Sequence, residues 1–282
     1  MYHFSIGVLL DSFRTDVPAA MRQAASLGLD GIQVYATEGD MAPENMDAAR
    51  RREFRKMADS YGLAISALCG DLGYGFHDPA RNPEAIEYSK RILELARDLG
   101  TGVVTTHIGV VPEDPAHPRY AVLQDACGKL AEFADSMGAH FAIETGPERP
   151  EVLRAFLDGL HSTGVAVNLD PANLFMTLET DAAQAVRILD KYIVHTHAKD
   201  GLCFKKCDPE IMYGLREPDG PFDEDDYCAE VPLGQGGVNW PEYLAALNEI
   251  GYRGFLTIER EVGQDPAADI RLAVEFLHQY VK

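Results

Sequence analysis

Short apolar runs alternate with amphipathic segments along the whole chain. FSIGVLL (4–10) reads as a first strand. Behind it Ala20, Met21, Ala24 and Leu27 recur at helical spacing, and Gly28 closes that helix. GIQVYA (31–36) is a second strand, 43–61 a helix ending at Tyr61–Gly62, and LAISALCG (63–70) a third strand. Ile86, Tyr88, Ile92, Leu95 and Ala96 give the segment 83–99 one apolar helical face. GVVTTHIG (102–109), a helix over 119–137 and FAIETG (141–146) follow. Pro150 opens a helix running to about His161, VAVNLD (165–170) is the sixth strand, and 181–190 a helix. YIVHTHAKD (192–200) and GFLTIERE (254–261) are the last two strands, followed by helices over 241–250 and 267–281.

Eight strands, each with a helix behind it, predict one domain over residues 1–282. The strand runs are continuously apolar, as parallel strands covered on both faces require. A closed (β/α)8 TIM barrel fits best, an α/β fold. A doubly wound open sheet is the alternative, but no GxGxxG follows the first strand and no GxxxxGK[ST] phosphate loop occurs. The alternation breaks once, at 201–237, where GLREPDGPFDEDDYCAE is too polar for core and too long for an ordinary loop. An excursion that follows strand seven predicts a cover near the active-site mouth.

The polar residues that end these strands change the picture. Glu144, Asp170, His197 and Glu259 stand at the ends of strands five, six, seven and eight. Each alone has an ordinary explanation. A strand-end acid commonly caps a helix, as Asp170 before Pro171 would, and a lone histidine is usually a satisfied core residue. Together they sit on neighbouring strands, at the rim where barrel active sites lie. Crowded carboxylates repel and raise one another's pKa unless a cation intervenes. Oxygen-rich ligation with one imidazole suits a single divalent ion. Mn2+ is the first expectation, with Mg2+, Co2+ and Zn2+ as alternatives. Glu144 and Glu259, at the two ends of this set, are also the expected acid/base pair.

His107, Asn173 and Lys199 are the expected substrate-binding residues. His195 shares a strand face with His197 and is expected to support the ligands rather than join them. Tyr35, Asp71 and Glu230 are candidate pocket walls. Cys203, Cys207 and Cys228 lie in the excursion, but lack a CxxC pair and a fourth ligand for a zinc site.

Composition limits the partners. Lysine and arginine number 25 against 45 acids, a formal charge of −20. Nucleic acid and anionic membranes need clustered cations and are disfavoured. No run approaches the roughly 18 apolar residues of a membrane span. MYHFSIGVLLDSF lacks a basic n-region, so no signal peptide is expected. The odd count of five cysteines forms no disulfide framework. A cytoplasmic protein with reduced thiols is the simplest reading; assembly into a homo-oligomer is left open.

HTHAKD (195–200), VPLGQGGVNWPEYLAALNEIGYRGFLTIERE (231–261) and ISALCGDLG (65–73) carry a resemblance. Across nearly its whole length the chain resembles the xylose isomerase-like TIM barrels, the sugar phosphate isomerases and epimerases. These include ketose 3-epimerases, inosose dehydratases and, more distantly, endonuclease IV. The resemblance implies that His197 and Glu259 are ligands and that the substrate is a small carbohydrate. Three positions depart from the ketose 3-epimerase pattern. Cys203 stands where those enzymes have arginine, Asn173 where they have histidine, and Pro150 where they have a second glutamate. All three handle substrate there, so the metal site carries over and the substrate does not.

The expected function is therefore a divalent-metal-dependent isomerase or epimerase of a small keto-sugar or polyol, working through an enediolate. The alternative enzyme is a metal-dependent dehydratase or lyase of a keto-sugar or inosose. The alternative outside catalysis is a sugar-binding barrel. A DNA-repair endonuclease would need a basic groove and clustered histidines. Here nine histidines are scattered along an acidic chain.

Overall fold

In the computed structural model, which describes residues 1–282, eight strands pair in parallel and close on themselves. They are β1 (Ser5–Leu9), β2 (Gly31–Tyr35), β3 (Ala64–Cys69), β4 (Val103–Thr106), β5 (His140–Glu144), β6 (Val165–Leu169), β7 (Ile193–Ala198) and β10 (Phe255–Ile258). Around the barrel the order is β1-β10-β7-β6-β5-β4-β3-β2. Every strand is thus hydrogen-bonded on both edges, and no edge needs protection. The single (β/α)8 domain expected from the apolar alternation is what forms.

The helices α1 (Val17–Ser26), α2 (Ala48–Ser60), α3 (Asn82–Leu99), α4 (Pro118–Ser136), α5 (Pro150–Asp158), α7 (Ala182–Leu189), α9 (Trp240–Glu249) and α10 (Pro266–Leu277) surround the barrel. An aspartate cap with proline in the first turn recurs. Asp16 accepts from Ala19 N at 2.8 Å, ahead of Pro18. Such caps satisfy amides that have no partner inside the helix. Three details differ from the sequence expectation. The helix placed at 43–61 begins only at Ala48, because Asp47 is the residue that caps it, accepting from Ala49 N and Arg50 N. An extra short helix, α6 (Pro171–Leu178), follows β6 directly; Asp170 starts it, and the backbone turns left-handed at Glu179 to end it. The excursion carries secondary structure of its own: β8 (Asp200–Cys203) and β9 (Cys228–Val231) form an antiparallel ribbon, with a four-residue helix α8 (Pro209–Met212) between them.

Asp200 ties that ribbon to the barrel. The residue is 1% exposed. Its Oδ1 accepts from Gly201 N at 3.0 Å and Val238 N at 3.2 Å. Its Oδ2 accepts from Gly234 N and from the Trp240 indole, both at 2.9 Å. A Cβ at Gly236 would collide with this carboxylate. The aspartate of HTHAKD and the glycines and tryptophan of GQGGVNW are therefore one device. They share a buried anion that returns the chain from the excursion to α9.

Candidate metal centre

The barrel interior is polar near its C-terminal rim, and the polarity is arranged. Three strands that read as apolar each carry one inward polar residue: Gln33 in β2, Asn168 in β6 and Thr257 in β10. All three are fully buried. His195 Nδ1 lies 2.9 Å from Asn168 Oδ1, and Asn168 Nδ2 donates to Glu144 Oε2 at 3.1 Å. A carboxylate only accepts, so the amide must present its NH2 to Glu144 and its oxygen to His195. His195 consequently carries its proton on Nδ1, and Nε2 accepts from the Thr257 hydroxyl at 2.9 Å. Burial and then neighbouring His197 hold the His195 pKa well below the ordinary value, so it stays neutral. His195 thus braces the site through Asn168 and contacts no carboxylate of the cluster.

His197 is held differently. Its Nε2 lies 3.0 Å from Gln33 Oε1, and Gln33 Nε2 donates to Thr105 Oγ1 at 2.8 Å. That bond directs Nδ1 toward the rim. There Nδ1 lies 3.1 Å from Glu259 Oε2 and 3.4 Å from both Glu144 Oε1 and Asp170 Oδ2. One ligand atom from each of Glu144, Asp170, His197 and Glu259 falls within 4.8 Å of every other, and all four residues are buried. The excursion cysteines form no such group. Gln33 and Asn168 escaped the sequence reading; the available signal was a lone amide inside an otherwise apolar run.

Asp170 does two things at once. Its Oδ1 caps α6, accepting from Ala172 N at 2.8 Å and Asn173 N at 2.9 Å. Its Oδ2 faces the cluster, and neither it nor Glu259 Oε2 has a hydrogen-bond partner. Glu259 Oε2 has cations close by, His197 at 3.1 Å and Lys199 Nζ at 3.3 Å, without hydrogen-bond geometry. Two buried anionic oxygens left unbonded are costly unless a cation takes them up. Burial raises the Asp170 pKa. Burial alone would lower that of His197, but Glu259 and Glu144 overcome it and hold it well above the ordinary value. The cluster therefore attracts positive charge. Its hard oxygens with one imidazole fit a divalent ion that tolerates mixed ligation.

The remaining expected residues border the same space. Asn173 Nδ2 donates to Glu144 Oε1 at 3.1 Å, orienting that carboxylate. His107 sits between Asp71 Oδ2 at 2.8 Å and Glu144 Oε1 at 3.6 Å. Burial opposes its charge, yet Glu144 and the Asp71 hydrogen bond push its pKa up to about 9. Lys199 is buried between Glu259 and an ion pair with Glu261, with Glu230 at 3.8 Å. Glu230 is tied to Arg260 at 2.5 Å rather than lining the cavity. Tyr35, Asp71, His107, Glu144, Asn173, Lys199 and Glu259 all line one cavity of about 200 Å3, as do Met212, Tyr213, Glu224 and Cys228 of the excursion.

Glu148 is an unexpected neighbour, in the loop after β5. It is 5% exposed, and its one hydrogen bond comes from Val111 N at 3.4 Å. Burial pushes its pKa up to about 8, against that bond and His107. The folded chain thus holds a proton that the unfolded chain releases near the ordinary glutamate value. Stability is fully present below that value and falls as pH rises toward 8. Glu148→Gln is expected to stabilise the protein by about 1–3 kcal/mol at pH 8.5 and to lose that advantage toward pH 4.5. Urea unfolding at the two pH values checks this; an equal effect at both would contradict it.

The protein is thus a closed (β/α)8 TIM barrel whose rim of three carboxylates and one imidazole could hold a metal ion. The chain belongs to the xylose isomerase-like TIM barrel family, whose model matches residues 21–280. It is 20% identical over 261 residues to fructoselysine 3-epimerase of Escherichia coli O157:H7, covering 87% of this chain and 86% of that one. A xylose isomerase domain protein from Planctomyces limnophilus superposes with a TM-score of 0.80 at 26% identity, over 98% of this chain and 96% of that one. The probable 3-DHS dehydratase AsbF from Bacillus anthracis shares the fold, with a TM-score of 0.74 at 17% identity, over 98% and 99% of the two chains. No helix is long and apolar enough to cross a membrane.

Proposed function

We propose that this protein is a divalent-metal-dependent isomerase or epimerase of a small, unphosphorylated keto-sugar or polyol. The observation that carries this reading is the pair of unbonded buried oxygens, Asp170 Oδ2 and Glu259 Oε2, facing His197 Nδ1 and Glu144. Glu144, Asp170, His197 and Glu259 would hold the ion. The bound ion would supply Lewis acidity, making the carbon next to a substrate carbonyl more acidic. Similarity to a 3-epimerase agrees with this class of reaction. The cavity argues against a phosphate group. Lys199 is its only lysine or arginine, and three glutamates already surround it.

The chain's own groups divide the work. Glu144 and Glu259 come from the outer two of four successive strands, β5, β6, β7 and β10, with Asp170 and His197 between them. A carbon acid seated over the cluster has one glutamate toward each face. One, ionised, removes the proton; the other, first protonated from solvent, delivers a proton from the opposite side. Asn173 and Asn168 fix the Glu144 oxygens, and Lys199 neutralises Glu259. His107, backed by Asp71, stands beside Glu144 as a proton donor to a substrate oxygen.

That last feature also supports dehydration, in which His107 protonates a departing hydroxyl. One experiment tests both readings. Protein loaded with Mn2+ is incubated in D2O with a panel of ketoses and keto-inositols, and products are followed by NMR. Epimerisation places deuterium at the carbon next to the carbonyl with no loss of water; dehydration releases water. Absence of Mn2+ uptake together with absence of turnover would refute the enzymatic reading and leave a sugar-binding barrel.

A further inference from the structure

The excursion sends one aromatic side chain back into the metal cavity. Tyr213 follows α8 directly and borders the cavity with His107, Glu144 and Asn173. Its ring centroid is 6.0 Å from that of His107. Its hydroxyl lies against Thr177 of α6 and against Gly146, just beyond β5. A Cβ on Gly146 would collide with that hydroxyl and come within 3.0 Å of the Asn173 Cβ. The segment is also fastened from outside. Asp208 caps α8 by accepting from Glu210 N at 2.8 Å, and the Glu210 carboxylate accepts from Arg119 Nη2 of α4 at 2.7 Å.

Glu144 and Glu259 of the cluster border this cavity with His107, Asn173 and Lys199. Met176, Met212, Tyr213 and Cys228 add an apolar patch to it, beside the polar Thr177, Glu224 and Glu261. A monosaccharide likewise carries hydroxyl edges and a C–H face, and an aromatic ring suits the second. The space is about 200 Å3, below the roughly 300–1,000 Å3 of most ligand pockets. Resting on the carbohydrate reading of this site, we infer that Tyr213 is its specificity-determining residue. It admits one unsubstituted monosaccharide-sized polyol and excludes the same polyol bearing a further sugar.

Gly146 is the other half of this device, because only a residue without Cβ leaves the hydroxyl its place. The two positions should then act alike. The test measures sorbitol and maltitol binding by calorimetry, with and without Mn2+, for wild type, Tyr213→Phe, Tyr213→Ala and Gly146→Ala. Maltitol is sorbitol carrying a glucosyl group. Wild type is expected to prefer sorbitol by at least about tenfold, a clearly resolved difference in Kd. Tyr213→Phe keeps that preference. Tyr213→Ala and Gly146→Ala lose most of it, with the Mn2+-induced thermal shift unchanged. A merely structural role would weaken both polyols equally, and that result would overturn the inference. So would an unchanged ratio in both variants, or no polyol binding by wild type. Failure of the metal reading shows separately, as no Mn2+ shift in wild type, and the polyol ratio still decides the role of Tyr213.

Discussion

Glu144→Gln and Glu259→Gln are each expected to lower kcat at least about 10³-fold, within the range a positioned acid or base contributes and with a ligand weakened besides. Glutamine keeps the shape of the side chain but cannot accept the substrate proton. The loss should arise mainly in turnover, because these two carboxylates are the ones assigned to proton transfer. Asp170→Asn should behave in the opposite way, weakening Mn2+ uptake before chemistry. Asn could keep the α6 cap through its oxygen, but it would turn an NH2 toward the ion. Metal titration and steady-state rates on the three variants separate the roles. In D2O, a glutamine variant that retains metal should still exchange the proton next to the carbonyl while failing to invert the centre. Full activity in both glutamine variants would sink the two-glutamate mechanism. Turnover without solvent deuterium would instead point to a hydride shift.

Asp200→Ala is expected to cost about 3–5 kcal/mol, among the larger effects a single substitution produces. The side chain accepts four hydrogen bonds in a site that water does not reach. Its removal leaves three backbone amides and the Trp240 indole without partners. Each unsatisfied buried donor costs about 1–3 kcal/mol, and relaxation of the loop recovers part of the total. For a chain of this size the midpoint of thermal unfolding should fall by about 6–20 °C. Asp200→Asn should be milder, since its oxygen still accepts while its NH2 opposes the other donors. Denaturant unfolding of both variants checks the order. A loss below about 1 kcal/mol in the alanine variant would contradict the role assigned to this carboxylate.

This residue shows where motif and meaning part company. HTHAKD was visible as a cluster of chemistry-bearing side chains, yet its members do four different jobs. His197 faces the carboxylates of Glu144, Asp170 and Glu259. His195 never reaches it and acts through Asn168. Lys199 neutralises Glu259, and Asp200 serves the backbone of a loop some 34–38 residues further on.

The (β/α)8 order was legible in the chain because hydrophobic periodicity is a local property. A strand buried on both faces and a helix buried on one leave different patterns over a handful of residues. The four rim positions were legible too, since a polar residue ending an apolar run marks the C-terminal edge of a barrel strand. The short helix α6 was not, because proline right after a strand reads equally well as a turn. Nor could the chain alone place Gln33 against His197, 164 residues away, or Tyr213 against Gly146. Those contacts depend on closure of the barrel and on the path of one polar excursion. The sequence by itself determined which residues stand at the rim. Only the tertiary structure decided which oxygens remain unbonded there and what roofs them, because side-chain partners across a closed barrel are set by distance in space, which no local pattern records.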